Sequence, residues 1–142
     1  MVMPVEILLA EDNPADAKLT LIALKHANVG NRVHVVENGE QALEFIFGNQ
    51  TEPANSPKLV LLDLKMPRVG GIEVLEKMKS DPRTKSIPVV VLTSSNHDKD
   101  LERCYKLGAN SYIVKPVDFD QFMKVIKEVG LYWILVNKLP GQ

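Results

Sequence analysis

The chain has a single cysteine, Cys104, so no disulfide can close within it, and a reducing compartment such as the cytoplasm is its natural setting. It has no excess of positive charge. Its 17 Lys and Arg are matched by 18 Asp and Glu, which removes the basic face that a nucleic-acid binder needs. No apolar stretch approaches the roughly 20 residues that cross a bilayer, and Met1 to Pro4 lead into a strand-like run instead of resembling a signal peptide. No glycine-rich phosphate loop follows that run; EDNPAD stands there, which argues against a nucleotide-binding fold. Repeats and low-complexity tracts are absent too. The three histidines, His26, His34 and His97, lie at no metal-binding spacing and read as surface or packing residues. What is present is ordinary for one globular domain: 142 residues, 45% hydrophobic and 25% charged, enough for a single core.

Short β-rich runs alternate five times with helix-period segments, which predicts a parallel sheet with helices on both faces. The first run is VEILLA (5–10), followed by a helix that Asn13 caps, with Pro14 in its first position and Leu19, Ile22 and Ala23 on a buried face. RVHVV (32–36) leads to a helix with a capping box at Asn38 and Gln41, carrying Ala42, Leu43 and Phe45. A polar loop, 48–57, exceeds the usual helix-to-strand length of about 2–6 residues and is either a partner contact or a tolerated insertion. KLVLLD (58–63) precedes Gly70 and Gly71 and a helix bearing Ile72, Leu75 and Met78, stopped at Asp81-Pro82. PVVVLT (88–93) is a strand buried on both faces; its helix carries Leu101, Cys104, Tyr105 and Leu107 and ends at Gly108. Cys104 reads as a small hydrophobe there. NSYIV (110–114) ends at Lys115-Pro116, and Asp118 caps a helix bearing Phe119, Phe122, Met123 and Ile126. The apolar tail GLYWILVNKLP either extends that helix or packs back on the body.

In open parallel sheets the ligand site lies beyond the carboxyl ends of the strands, where strand order reverses. The first strand delivers Glu11 and Asp12 there, the third Asp63, the fourth Thr93 and the fifth Lys115, whereas the second delivers nothing of chemical use. In the order 2-1-3-4-5 the reversal falls between strands one and three, which carry all three carboxylates. Singly, each of these is an ordinary residue: solvated acids, a strand-end hydroxyl, a surface lysine. Together they would be four accidents at one end of one sheet. Two carboxylates about 4 Å apart repel by about 4 kcal/mol at an effective dielectric near 20, so the three need compensation. Magnesium supplies it, taking oxygen ligands and phosphate oxygens. Three carboxylates, Lys115 and a divalent ion sum to zero charge. An aspartate can accept a phosphoryl group, whose new oxygens then seek the metal, the Lys115 ammonium and the Thr93 hydroxyl. Asp63, alone on the central strand, is the best acceptor, while the adjacent Glu11 and Asp12 are placed to hold metal.

ILLAEDN, VLLDLKMP, VVVLTS and YIVKP, in this order and spacing, resemble the receiver domains of two-component response regulators, over residues 5 to 130. The resemblance implies a flavodoxin-like, doubly wound five-stranded parallel sheet. It implies Asp63 as phosphoacceptor, Asp12 as a direct Mg2+ ligand, Glu11 as a ligand through water and the Lys65 carbonyl as a further metal oxygen. Lys115 would pair with the phosphoryl group, and Pro116 would follow a cis peptide bond. Thr93 would be the switch hydroxyl and Tyr112 the aromatic that turns inward when Thr93 moves; the alternative for Tyr112 is a half-packed edge aromatic. The Lys65 side chain departs from the neutral or acidic residue of many receivers and bears on the lifetime of the phosphorylated state. Ser94 is small and leaves phosphoryl access open.

The chain is expected to be one receiver domain over 1–142 with a short C-terminal extension and no output domain, signalling through protein contacts. The 48–57 loop, IPVVVLTSSNHDKDL and Tyr132-Trp133 resemble the small regulators partnered with phytochrome-type histidine kinases. A sensor histidine kinase, a downstream protein and a homodimer through the fourth and fifth helices and last strand are the expected partners; nucleic acid and membrane are not. It is not expected to be an enzyme beyond its own phosphorylation and autodephosphorylation. The alternatives are a small phosphatase with Asp63 as nucleophile, and a receiver-like scaffold that is not phosphorylated.

Overall fold

The computed structural model describes residues 6–29 and 32–135. The elements alternate as β1 (Ile7–Ala10), α1 (Pro14–His26), β2 (Val33–Val36), α2 (Gly39–Phe47), β3 (Leu59–Asp63), α3 (Gly71–Ser80), β4 (Val89–Thr93), α4 (Leu101–Leu107), β5 (Ser111–Val114), α5 (Phe119–Glu128) and a short α6 (Tyr132–Leu135). The sheet runs β2-β1-β3-β4-β5 with every neighbouring pair parallel, the doubly wound order expected. The residues of β1, β3 and β4 are all buried, as unbroken apolar runs require when helices cover both faces. The strand that carries no chemistry, β2, lies at one edge.

Side chains alternate across a strand, so the core divides into two layers. Ile7, Leu9, Leu59, Leu61, Val90, Leu92 and Ile113 pack against α1, α5 and Leu135. Leu8, Ala10, Val60, Leu62, Val89 and Val91 pack against α2, α3 and α4. The helix starts follow their caps. Asn13 accepts from the Asp16 N–H at 3.0 Å, Asn38 from Gln41 at 2.8 Å and Asp118 from Gln121 at 2.8 Å. Gln41 returns its bond to the Glu37 N–H at 2.8 Å, one residue before the cap itself. Gly108 ends α4 with φ 108°, a left-handed conformation that L side chains resist.

The buried face expected on α1 needs correction. Leu19 and Ile22 are each 45% exposed; α1 instead turns Ala17, Thr20, Ala23 and Leu24 inward. Small residues let the helix lie close to the sheet, and Thr20 satisfies its buried hydroxyl by donating to the Asp16 carbonyl at 2.9 Å. Phe119, in the first turn of α5, is 42% exposed, whereas Phe122 and Ile126 are fully buried. Tyr105 on α4 is also exposed; it meets the Tyr112 ring edge-on, with centroids 6.3 Å apart, at the outer margin of the layer.

The 48–57 loop folds on itself. The Asn49 side chain accepts from the Thr51 and Glu52 N–H groups, and Asn55 donates to the Phe45 carbonyl. His34 stacks on Phe45 with ring centroids 4.5 Å apart, a packing role as expected. The chain beyond residue 135 and the Trp133 side chain, on which the tail expectations rest, lie outside the described residues.

Candidate functional site

Strand register and the two-residue period bring the polar strand ends together. Ala10 is level with Leu62, so Glu11 follows Ile7 and Leu9 on the same sheet face as Asp63 follows Leu59 and Leu61. Lys115 follows Ile113 onto that face from β5. Thr93 ends β4 one register step beyond Asp63, on the opposite face with Val89 and Val91. A cleft of about 190 Å³ opens between them, lined among others by Asp12, Asp63, Lys65, Thr93, Asp98 and Lys115.

The first half of the cleft is an ion-pair knot. Glu11 and Asp63 are 2% and 4% exposed. The Lys115 Nζ donates at 3.2 Å to each of Glu11 Oε1, Asp63 Oδ2 and Asp16 Oδ2, so all three of its protons are engaged. One carboxylate oxygen from each of Glu11, Asp12 and Asp63 lies within 4.8 Å of the others, with Asp12 exposed at the mouth. The second Glu11 oxygen accepts from the Asn13 N–H at 3.2 Å, and Asp63 Oδ1 accepts from the Lys65 N–H at 3.3 Å.

The charge is not balanced. Burial, then hydrogen bonding with and the charge of Asp63, push the Glu11 carboxyl up to about 7, against the Asn13 N–H and Lys115, which pull it down. Burial alone would lower the Lys115 ammonium, but the charges of Asp63 and Glu11 and hydrogen bonds to Glu11 and Asp16 outweigh it and hold it above its ordinary value. The neutral sum expected from sequence is corrected by Asp16. With three carboxylates on one lysine and Asp12 beside them, a divalent ion still leaves one negative charge. The donor set suits a hard cation: carboxylate oxygens gathered at short range, excess negative charge and an exposed approach past Asp12.

The second half of the cleft is held by the β4–α4 loop. Thr93 is 2% exposed, and its hydroxyl lies 3.1 Å from the Ser95 carbonyl and 3.2 Å from Asp98 Oδ2, while accepting from the Ser95 N–H at 3.4 Å. Ser94 is exposed at the cleft, and Tyr112 is half-buried on β5, on the same face as Thr93. The Lys115-Pro116 bond is cis, as expected.

Sequence reading missed Asp16 and Asp98. The signal for Asp16 was available: it is the N3 residue of α1 counted from the Asn13 cap, four residues after Asp12, and so it faces back toward the strand ends. Asp98 lies five residues beyond Thr93 in a loop without periodicity, and no spacing rule would have found it.

A five-stranded parallel sheet with acids on β1 and β3, a hydroxyl on β4 and a lysine on β5, converging at its switch point, defines a receiver-type signalling domain. The family described as response regulator receiver domain matches residues 7–127. Response regulator Rcp1 of Synechocystis sp. is 36% identical over 140 residues, 97% of this chain and 95% of that protein. The probable methanogenesis regulatory protein FilR2 of Methanothrix harundinacea is 39% identical over 138 residues, 97% of this chain and 89% of that protein. Among solved structures, the bacteriophytochrome response regulator AtBRR superposes with a TM-score of 0.83 at 44% identity, covering 96% of this chain and 100% of that one. The Mn(2+)-bound form of Rcp1 gives 0.73 at 34% identity, covering 96% and 97%. The chain belongs to the response regulator receiver family, and that membership implies a histidine kinase as partner.

Proposed function

We propose that the protein takes a phosphoryl group from a sensor histidine kinase onto Asp63. An Asp63 oxygen attacks phosphorus, the N–P bond of the kinase phosphohistidine breaks, and the imidazole leaves with the electron pair and takes up a proton. Lys115 holds Asp63 in place beforehand and neutralises the added charge afterwards. Glu11, Asp12, Asp63 and the Lys65 carbonyl would hold Mg2+, which supplies charge stabilisation to the phosphoryl oxygens; a relative, Rcp1, solved in a Mn(2+)-bound form, favours a divalent cation in this protein too. The Thr93 hydroxyl turns to the phosphoryl oxygens, and Tyr112, on the same face, follows it inward. Loss of the group is autodephosphorylation: water attacks phosphorus and the carboxylate leaves.

The observation that carries this reading is the Lys115 ammonium at 3.2 Å from both Asp63 and Glu11, in a cleft where a third acid waits within 4.8 Å. Likeness to Rcp1 and to a bacteriophytochrome response regulator favours a phytochrome-type kinase as donor. Action in the cytoplasm fits that donor, and α4, β5 and α5, with Tyr105 and Tyr112 at their surface, form the face proposed for homodimerisation. The phosphatase alternative is disfavoured, since Leu64 and Lys65 follow Asp63 where a second acid would serve a leaving group.

Treatment with acetyl phosphate and Mg2+ should add one phosphoryl mass to the wild type and none to Asp63→Asn. Equal labelling of the variant would refute the site, and catalytic turnover of a generic phosphomonoester would favour the phosphatase.

A further inference from the structure

We infer that Asp98 is a positioning residue that latches the Thr93 hydroxyl away from Asp63 and sets how readily this receiver switches. The inference rests on the phosphoacceptor reading of Asp63 and deepens it.

The Thr93 hydroxyl has one proton and two acceptors in reach, the Ser95 carbonyl at 3.1 Å and Asp98 Oδ2 at 3.2 Å. A carboxylate is the stronger acceptor, because hydrogen bonds to a charged oxygen are roughly twice as strong as neutral ones. The Ser95 N–H closes the set from the other side at 3.4 Å. Among the described residues the hydroxyl makes no hydrogen bond to Asp63. Asp98 is itself anchored. Its Oδ1 accepts from the Asp100 N–H at 2.8 Å, and its carbonyl accepts from the Leu101 N–H at 3.1 Å. Asp98 thus ties a buried strand-end hydroxyl to the entry of α4, whose own cap residue, Asp100, makes no side-chain capping bond.

A phosphoryl group on Asp63 must draw the Thr93 hydroxyl toward the cleft, and the hydroxyl can turn only by releasing Asp98. The free energy of that bond is subtracted from every switching event. Releasing it also unties the entry of α4 from the end of β4, so the same rupture that admits the hydroxyl loosens the seat of that helix. A second effect has the same sign: Asp98 lines the cleft, and its charge repels an incoming anion. The two effects separate by experiment, because only the latch acts through the Thr93 hydroxyl.

The test is a double-mutant cycle on the whole chain, titrated with beryllofluoride in the presence of Mg2+ as a non-covalent phosphoryl mimic. Asp98→Ala should tighten beryllofluoride binding about tenfold in the Thr93 background. In the Thr93→Val background, which keeps side-chain volume and removes the hydroxyl, the gain should shrink to about twofold or less. Exchange of the Ser95 amide should quicken in Asp98→Ala before any ligand is added. Asp98→Asn, whose one carbonyl oxygen can serve Thr93 or Asp100 but not both, should give an intermediate gain and guards against loss of the loop fold. An equal gain in both backgrounds would reduce Asp98 to a repulsive charge and overturn the latch, as would no gain at all. Wild-type protein that acetyl phosphate fails to label would sink the phosphoacceptor reading and the latch with it. Normal labelling with a flat cycle sinks the latch alone.

Discussion

The two halves of the cleft are built on different principles. On the α1–α5 side, Glu11 and Asp63 sit level at the ends of neighbouring strands, Lys115 follows two residues beyond their level from β5, and the three are crowded and cross-linked through one ammonium. On the α4 side, Thr93 also rides a strand, but its partner Asp98 sits in a loop and the contact is a single hydrogen bond at 3.2 Å. Strand ends in a parallel sheet are rigid, so the acid side is fixed in geometry and unsettled in charge. The loop side is held by single hydrogen bonds and is adjustable in geometry. A site that must first accept a group and then report it gains from this division: chemistry happens where nothing moves, and movement happens where no acceptor atom sits.

The sharpest way to break the comparison is to remove the pin. Lys115→Met leaves Glu11, Asp16 and Asp63 facing one another with no cation. Removing one partner of a buried ion pair costs about 3–5 kcal/mol, and the lysine side chain is only 16% exposed, so a loss of about 3 kcal/mol in urea unfolding is expected in chelator at pH 8. Saturating Mg2+ should recover much of it. A variant as stable as wild type in chelator would show that the acids are not held against their repulsion.

Rigidity of the acid side can be attacked next. A Cβ on Gly71 would run into the Asp63 carbonyl oxygen and the Leu64 Cα, both backbone, because the start of α3 lies against the end of β3 where its N–H bonds the Leu64 carbonyl at 3.0 Å. Gly71→Ala should cost about 2–3 kcal/mol by overpacking and should slow acetyl-phosphate labelling, since β3 must bend exactly where Asp63 is carried. Labelling at the wild-type rate would mean that Asp63 needs no fixed post.

The same division explains what could be read from the sequence. The fold was legible because each strand is an unbroken or alternating apolar run and α1, α2 and α5 start at side-chain caps, and β2 was placed at the edge by its lack of chemistry. Glu11, Asp12, Asp63, Thr93 and Lys115 were legible because strand ends are counted, not folded. Leu19 and Ile22 misled because apolarity was taken for burial; α1 turns Ala17, Thr20, Ala23 and Leu24 inward instead. Asp98 was invisible because loop conformation, not period, brings it to Thr93.

A milder perturbation acts on charge alone. Glu11 must be ionised to hold a dication, and its carboxyl is pushed up to about 7 by burial and by Asp63. Below that value a proton occupies it and competes with metal; above it the site is free. Apparent Mg2+ affinity should therefore fall about tenfold between pH 8 and pH 6, since each pH unit below the carboxyl's own value costs a factor of ten. The sign for stability is the reverse. A carboxyl raised above its unfolded value binds more protons when folded, so the metal-free protein loses stability as pH rises from 4.5 through 7 and is helped by acid over that window. Isothermal titration at the two pH values, beside chelator-treated unfolding curves, checks both. A flat affinity would remove Glu11 from the cation site.

The smallest effect probes the residue that the strands do not carry. Asp16 sits on α1, its side chain is 31% exposed, and it takes one of the three Lys115 protons. Asp16→Asn keeps an oxygen that can accept from Lys115 and removes one negative charge, so the cleft with a divalent ion becomes neutral instead of anionic. A partly solvated charge contributes under about 1 kcal/mol, so Mg2+ affinity should weaken about two- to fivefold with stability nearly unchanged. A loss as large as that from Asp63→Asn would place Asp16 in the inner coordination of the metal. No loss would mean that solvent already screens it, and that the strand ends alone define the electrostatics of the cleft.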